Sequence, residues 1–259
     1  MAKVLFLSYD GVSDPLGQSQ ILPYLRGLVG LGHEIHLVSF EKPARFSPVR
    51  AALTAAVERD GIVWHPLPYT KRPPVLSTMW DMHCLRATVK RLQREHQFDV
   101  IHCRSYLTSL IGLRLKRAER VRFIFDMRGF WADEKVEGGS WNLRNPVFRS
   151  VYWFFKARET EFVAEADGIV SLTQAGRREI ERWTAYEAHR PPIRVIPCAA
   201  EFDAFEVATA EARDLARAAL GIPRDSFVVA YLGSLGTWYM LGEMLDWFSL
   251  LRRRNSRSR

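Results

Sequence analysis

The stretch KVLFLSYDGVSDPLGQSQILPYLRGLVGLGHEIHLVSF, residues 3–40, contains the pattern that decides the fold. The apolar run KVLFLSY leads through a turn with Gly11, Asp14 and Gly17 into a segment with helical periodicity, and a second apolar run follows. The helical spacing is carried by Ile21, Leu22, Leu25, Leu28 and Val29, and Gly32 stands where a helix ends. The stretch therefore predicts a strand, a turn, a helix and a second strand, which form one right-handed βαβ crossover.

The same alternation continues over the first two hundred residues. Further apolar runs are GIVWHPL, DVIHC, VRFIFDM, DGIVSL and IRVIP, at residues 61–67, 99–103, 121–127, 167–172 and 193–197. Strands that alternate with helices form mainly parallel sheets with helices on both faces. We therefore predict an α/β fold with a doubly wound, Rossmann-like parallel sheet.

The turn between the first strand and the first helix has two interpretations. A glycine-bearing turn at a helix N-terminus offers backbone N–H groups to an anion, most often a phosphate. An ordinary βα turn with a helix cap accounts for the same residue types. The residues of this turn do not decide between the two.

Composition excludes several classes of protein. With 47% apolar and 25% charged residues, the chain is expected to be globular. It has no apolar run of about 18 residues and no signal-peptide pattern, so we expect a cytoplasmic protein. Five arginines near the end of the chain supply most of the net charge of +8, and no nucleic-acid-binding motif accompanies them. We therefore expect no nucleic acid partner.

The cysteines indicate neither a disulfide framework nor a metal site. Cys84, Cys103 and Cys198 are widely spaced and include no C-x-x-C pair. The neighbouring pairs of His83 with Cys84 and of His102 with Cys103 also lack metal-ligand spacing. We predict buried, apolar cysteines and no metal.

Five segments resemble, in the same order, the motifs of family 4 glycosyltransferases of the GT-B type: GHEIHLVSF, FDVIHCRS, EADGIVSLTQAGRREI, IRVIPCAAEFDAF and FVVAYLGSLG. The resemblance covers the whole chain. It implies two facing Rossmann-like domains, of which the N-terminal one mainly holds the acceptor. The C-terminal one mainly binds a nucleotide-diphosphate sugar as donor substrate.

The resemblance also suggests domain boundaries. We expect residues 1–205 to form the acceptor-side domain, 206–224 to be a linker and 225–259 to begin an incomplete donor-binding domain. The strand SFVVAYLG, residues 226–233, then lacks a following strand with which to pair. The family's donor-binding segment, two glutamates separated by seven residues, does not follow it, so we expect the 259-residue chain alone to be catalytically inactive.

The resemblance further implies a donor-phosphate loop. In the family the first glycine-bearing loop lies near the donor diphosphate, which here assigns Asp14, Gly17, Gln18 and Ser19 to that site. Gly233 belongs to the corresponding turn of the second domain, where the Lys-Gly dipeptide common in the family is absent.

Polar residues stand at the carboxyl ends of the fourth and fifth strands, which are cleft positions in a doubly wound sheet. We assign His102, Arg104 and Ser105 to the acceptor side of the cleft, and Asp126 and Arg128 to catalysis. Many family members have a histidine where Arg128 stands. Because arginine stays protonated, we predict that Arg128 stabilises charge or contacts phosphate.

Asp126 either accepts a hydrogen bond from an acceptor hydroxyl or pairs with Arg128. His102 either points into the cleft or packs under a helix, and we expect Gly17, Arg104 and Arg128 to share one cleft wall.

The implied reaction is a retaining, metal-independent transfer of a sugar to a glycan or lipid-linked acceptor in the assembly of a cell-surface polysaccharide. No permanently bound cofactor is implied. Two alternatives remain open: a non-catalytic fragment that binds an acceptor or regulates, and a GT-B-like nucleotide-sugar epimerase.

An aromatic and basic stretch, NPVFRSVYWFFKARETEFV at residues 145–163, has two interpretations. A core helix accounts for Phe148, Val151, Tyr152, Phe155 and Phe162 on one face. It leaves Trp153 and Phe154 unexplained, and these two with Arg149 and Lys156 suit peripheral contact with a membrane.

Overall fold

The computed structural model describes residues 1–73, 75–199, 207–233, 235 and 239–254. Contacts between backbone positions divide the chain into two compact units. One unit comprises Met1–Val136 and Trp141–Ala199, and the other comprises Glu137–Ser140 and Ala200–Arg259. The predicted boundary between residues 205 and 206 lies outside the described residues.

The part of the first unit that the structure describes contains seven strands: β1 Lys3–Ser8, β2 Glu34–Glu41, β3 Ile62–Pro68, β4 Val100–Arg104, β5 Arg122–Met127, β6 Gly168–Ser171 and β7 Ile193–Val195. All pair in parallel, in the order β3-β2-β1-β4-β5-β6-β7. The predicted doubly wound parallel sheet is confirmed.

Among the described residues, nine helices or helical segments connect or follow these strands: α1 Pro15–Gln20, α2 Leu22–Gly30, α3 Pro43–Arg59, α4 Leu76–His96, α5 Ser105–Glu119, α6 Trp131–Glu137, α7 Pro146–Glu165, α8 Gln174–Ile180 and α9 Thr184–Glu187. The predicted first helix is confirmed as α2, in which Leu22 and Leu25 are buried. Gly32 follows it with φ +85°, a left-handed conformation that glycine adopts without steric cost. Within the described ranges, no helix is both long enough and apolar enough to cross a lipid bilayer.

Two apolar cores cover the two faces of the sheet. On one face, Phe6 and Leu37 pack with Ile21 and Leu25 from the first crossover. On the other face, the strands pack against α4, α5 and α7 through a larger set that includes Phe123, Phe125 and Phe162. Because helices cover both faces, a polar ligand can reach the sheet only at a strand edge.

The second unit contains two described helices, α10 Ala210–Ala219 and α11 Leu241–Arg254. The predicted strand over residues 226–233 is wrong in this structure. Among these residues Phe227 alone makes an isolated bridge, and residues 228–233 are exposed and irregular. The physical reason is that a parallel strand needs a neighbour for its backbone hydrogen bonds, and no strand lies beside this one among the described residues of the second unit.

Candidate active site

The site lies where the order of the strands changes direction. The chain builds outward from β1 through β2 to β3, and then returns to place β4 on the other side of β1. The crevice outside the carboxyl ends of such strands is where doubly wound sheets bind ligands. Ser8, Arg104 and Asp126 are register partners at the ends of β1, β4 and β5. The sheet therefore brings the predicted Arg104 and Asp126 together at this edge.

Asp126 is the centre of a buried polar cluster. Its Oδ2 lies 3.5 Å from His102 Nε2, and its Oδ1 lies 3.7 Å from a terminal nitrogen of Arg128. His102 Nε2 and Asp126 Oδ1 are buried and have no hydrogen-bond partner. A buried polar group without a partner costs about 1–3 kcal/mol, so this cluster has unused capacity for a polar ligand or water.

His102 is buried between the first crossover and Asp126. Its ring packs under the first crossover, with centroids 4.6 Å from Phe6 and 5.7 Å from Tyr24, while Nε2 faces Asp126. Burial, followed by the charge of Asp126, raises the pKa of Tyr24. Tyr24 was not identified from the sequence as part of the site, because its periodicity is that of an ordinary helix residue.

Arg104 adds a second buried guanidinium. It is 4% exposed, its Nε lies 3.4 Å from Asp10 Oδ2, and that Nε also lacks a hydrogen bond. Burial, and then the neighbouring Arg128, lowers the pKa of Arg104. Ser105 follows with φ +69°, a region that residues other than glycine rarely adopt and that is enriched at functional sites.

Arg128 and the end of α1 are both tied to the segment after β7. Arg128 donates to Cys198 Sγ at 3.6 Å, and Gln20 Nε2 donates to the carbonyl of Ala199 at 3.0 Å. These contacts place α1 and Arg128 on the same side of the edge. Cys103 is buried and Cys84 half-buried, but Cys198 is exposed, so the prediction that all three cysteines are buried is wrong for Cys198. The reason is its position in the loop at the carboxyl edge.

The loop after β1 is held by a residue that the sequence analysis missed. Glu41, at the carboxyl end of β2, is buried and accepts hydrogen bonds from the backbone N–H groups of Val12 and Ser13, each at 2.9 Å. It also accepts one from Ser39 Oγ. The sequence signal that could have identified Glu41 is a charged residue at the end of an apolar strand of the parallel type. Glu41 fixes the backbone of the glycine-bearing loop.

The predicted donor-phosphate residues have different surroundings. Gly17 is buried against the loop, and a Cβ on it would clash with the Gly11 carbonyl and lie 2.5 Å from Val12 Cα. Asp14 is paired with Lys42 at 2.6 Å and with Arg45 at 3.4 Å. Gln18 and Ser19 are exposed on α1. Gly233 lies in the second unit, is exposed, and has the Tyr231 side chain where a Cβ would project.

The sequence model of the family described as "Glycosyl transferase 4-like domain" matches residues 18–199. The chain belongs to this family. It is similar to D-inositol 3-phosphate glycosyltransferase of Corynebacterium urealyticum, with 25% identity over 57% of this chain and 34% of that protein. The chain therefore spans about a third of the length of this curated relative.

Solved structures share the fold. Sucrose-phosphate synthase from Thermosynechococcus elongatus superposes with a TM-score of 0.62 and 14% identity, over 90% of this chain and 56% of that chain. HepE from Anabaena, solved in complex with UDP and glucose, superposes with a TM-score of 0.60 and 16% identity, over 100% of this chain and 60% of that chain. At these identities the likeness shows the α/β Rossmann-like fold of the family.

Proposed function

We propose that the protein is a glycosyltransferase that moves a sugar from a nucleotide-diphosphate sugar to a hydroxyl of a glycan or lipid-linked acceptor. The proposal is supported mainly by one observation of the structure. At the point where the strand order reverses, Asp126 presents a buried oxygen without a hydrogen bond beside two guanidinium groups. The chain's membership of the family described as "Glycosyl transferase 4-like domain" supports the same conclusion.

The transfer step assigns a role to each group. The acceptor oxygen forms a bond to the anomeric carbon, the bond from that carbon to the diphosphate oxygen breaks, and the diphosphate leaves with the electron pair. Asp126 Oδ1 accepts a hydrogen bond from the acceptor hydroxyl, and the proton ends on the departing phosphate. Arg104 and Arg128 stabilise the charge that develops on the diphosphate, and because they supply this charge we propose a metal-independent reaction. We propose retention of anomeric configuration, as in the family that the sequence resembles.

The division of labour follows the same proposal. Residues 1–205 form the acceptor-side domain, 206–224 the linker and 225–259 the beginning of the donor-binding domain. His102, Arg104 and Ser105 lie on the acceptor side of the cleft. Gln18 and Ser19 are exposed on α1 and are available to the donor diphosphate, while Gly17 lets α1 sit against the loop. Asp14, which is paired with two cations, positions this loop and does not itself contact phosphate.

We extend the proposal to the acceptor, the donor and the location of the reaction. One relative is named for action on D-inositol 3-phosphate, and one structural neighbour holds UDP and glucose, so a phosphorylated polyol and a UDP-sugar are the first compounds to test. We propose a role in cell-surface polysaccharide assembly at the cytoplasmic face of the membrane. The exposed Trp153 and Phe154 of α7 support peripheral contact with that surface.

Product analysis tests the proposed function. The protein, at its full encoded length, is incubated with UDP-glucose and other nucleotide-diphosphate sugars, together with inositol 3-phosphate, oligosaccharides or lipid-linked saccharides. We expect mass spectrometry to find an acceptor that has gained one sugar, and NMR to show the anomeric configuration of the donor.

Two other outcomes would contradict the proposal. Formation of an epimerised nucleotide sugar without acceptor would identify an epimerase. Saturable acceptor binding without a product from any donor and acceptor pair would identify a non-catalytic binding module.

A further inference from the structure

Four titratable side chains from three elements meet at the amino edge of the sheet. Glu34 and His36 belong to β2, His65 belongs to β3, and His96 is the last residue of α4. This edge is opposite the carboxyl edge that holds Asp126, so the cluster plays no part in the proposed transfer step.

The contacts within the cluster are close. His36 Nδ1 lies 3.1 Å from His65 Nε2, and His36 Nε2 lies 3.2 Å from Glu34 Oε1. The ring centroids of His36 and His96 are 4.3 Å apart. One ligand atom from each of Glu34, His36 and His96 lies within 4.8 Å of the other two.

The buried ring of His36 has a polar neighbour beside each of its nitrogens, His65 at Nδ1 and Glu34 at Nε2. A neutral imidazole has one N–H donor and one acceptor nitrogen. If His36 Nδ1–H donates to His65, the free lone pair of Nε2 points at the Glu34 carboxylate, and two electron-rich atoms face each other at 3.2 Å unless a cation lies between them.

We propose that Glu34, His36 and His96 bind one zinc ion, with His65 as a positioning residue that accepts the hydrogen bond from His36 Nδ1–H. Two imidazole nitrogens and one carboxylate oxygen are ligands that zinc prefers, and they leave a fourth position for water. A hydrogen bond on the second nitrogen of a ligating histidine is the usual device that fixes its tautomer and orientation.

Only a small movement would bring the three ligand atoms to the spacing that a zinc ion requires. At bond lengths of about 2.0–2.1 Å, tetrahedral ligand atoms lie roughly 3.3 Å apart, which the separation of His36 from Glu34 already matches. His96 must approach by about 1–1.5 Å to reach this spacing. It is half-buried at the end of α4 and Glu34 is half-buried on β2, so both side chains have room to move.

The charges around the cluster are mixed. Lys3 Nζ lies 3.8 Å from Glu34 Oε2, the oxygen that does not face His36. Glu95 Oε2 lies 3.9 Å from His96 Nε2 and offsets that positive charge. Bound zinc would join the end of α4 to β2, and so would stabilise the amino edge of the sheet.

Zinc binding to the whole chain tests the proposal. Protein stripped with a chelator is dialysed against buffered Zn²⁺, and bound metal is measured for the wild type and for the part-exposed variants Glu34→Gln and His96→Gln. We expect one ion to bind the wild type, and each variant to need more than about tenfold more free Zn²⁺ for half saturation. His65→Gln should weaken binding by about 10-fold or more while the stoichiometry stays at one.

A matched control and a spectrum separate this site from other zinc-binding histidines. His83→Gln removes an exposed histidine from the same helix and should bind zinc like the wild type. Cobalt(II) in the wild type should give the intense visible absorption of a four-coordinate site, and His96→Gln should lose it. Circular dichroism checks that each variant is folded. Equal zinc binding by the wild type, Glu34→Gln and His96→Gln, or no binding at all, would overturn the proposal and leave Glu34 as the simple acceptor of a His36 Nε2–H hydrogen bond.

Discussion

Gly17 shows how one residue positions the candidate active site. The glycine-bearing loop is fixed from one side by the Glu41 carboxylate and from the other by α1, which approaches so closely that position 17 has no room for a Cβ. The sequence analysis assigned Gly17 to the donor phosphate from a resemblance. The structure gives it a packing role that applies whether or not a phosphate binds.

Two glycine substitutions test this packing role. Gly17→Ala forces the Gly11 and Val12 backbone to move and should lower the free energy of unfolding by about 1–3 kcal/mol. Gly27→Ala, in the exposed part of α2 where a Cβ meets nothing within 4 Å, should raise it by about 0.5–1 kcal/mol because alanine loses less backbone entropy. Urea unfolding of both variants measures the difference. Equal effects of the two substitutions would show that Gly17 is not constrained by the loop.

Other residues of the site were beyond the reach of sequence reasoning. Arg104 and Asp126 were predictable because strand ends in a parallel sheet share one edge. Glu41, Tyr24 and the ring of His36 were not, because their partners are distant in the chain and depend on side-chain directions that no local pattern specifies.

At the scale of elements, the parallel strands were the most predictable feature. All seven predicted apolar runs of the first unit form strands with closely similar bounds, since a strand buried on both faces reads as a continuous apolar run. The run at residues 226–233 has the same character but no neighbouring strand among the described residues of its unit, and it is irregular. Local sequence thus predicts the capacity for a strand, whereas pairing decides whether it forms.

For helix α7 the sequence left two interpretations open, a core helix and a surface that contacts a membrane. Phe155 and Phe162 are buried as predicted, while Trp153 and Phe154 are 61% and 48% exposed. Lys156 is not free for a lipid headgroup, because its Nζ binds Asp133 at 2.8 Å and Glu159 at 2.5 Å. Arg149 is exposed and remains available.

Sedimentation with anionic liposomes tests membrane contact by α7. Replacing Trp153 and Phe154 together with serine should weaken liposome binding by about tenfold or more, because each apolar side chain that enters the interface contributes about 1.5–3 kcal/mol. Trp80→Ser is the matched control, since Trp80 is 60% exposed but lies on α4. If the α7 double variant and the control sediment like the wild type, α7 is not a membrane-binding surface.

At the scale of the whole molecule, one sheet presents two chemically different edges. The carboxyl edge gathers two guanidinium groups, two carboxylates and an imidazole, a set suited to an anionic donor and a hydroxyl acceptor. The amino edge gathers three imidazoles and a carboxylate, a set suited to a metal ion. The proposed transfer reaction depends on the first edge alone.

The most direct test of the central claim is the rate of sugar transfer by Asp126→Asn in the full encoded protein. Asparagine keeps the shape of the side chain but removes the negative charge beside His102 and Arg128. We predict that kcat/KM falls by at least about 100-fold while the unfolding midpoint stays near that of the wild type. Asp60→Asn, which removes only an outlying pair with Arg26, should transfer sugar within about twofold of the wild type. A folded Asp126→Asn protein that transfers sugar as fast as Asp60→Asn would contradict the assignment of the active site to this edge.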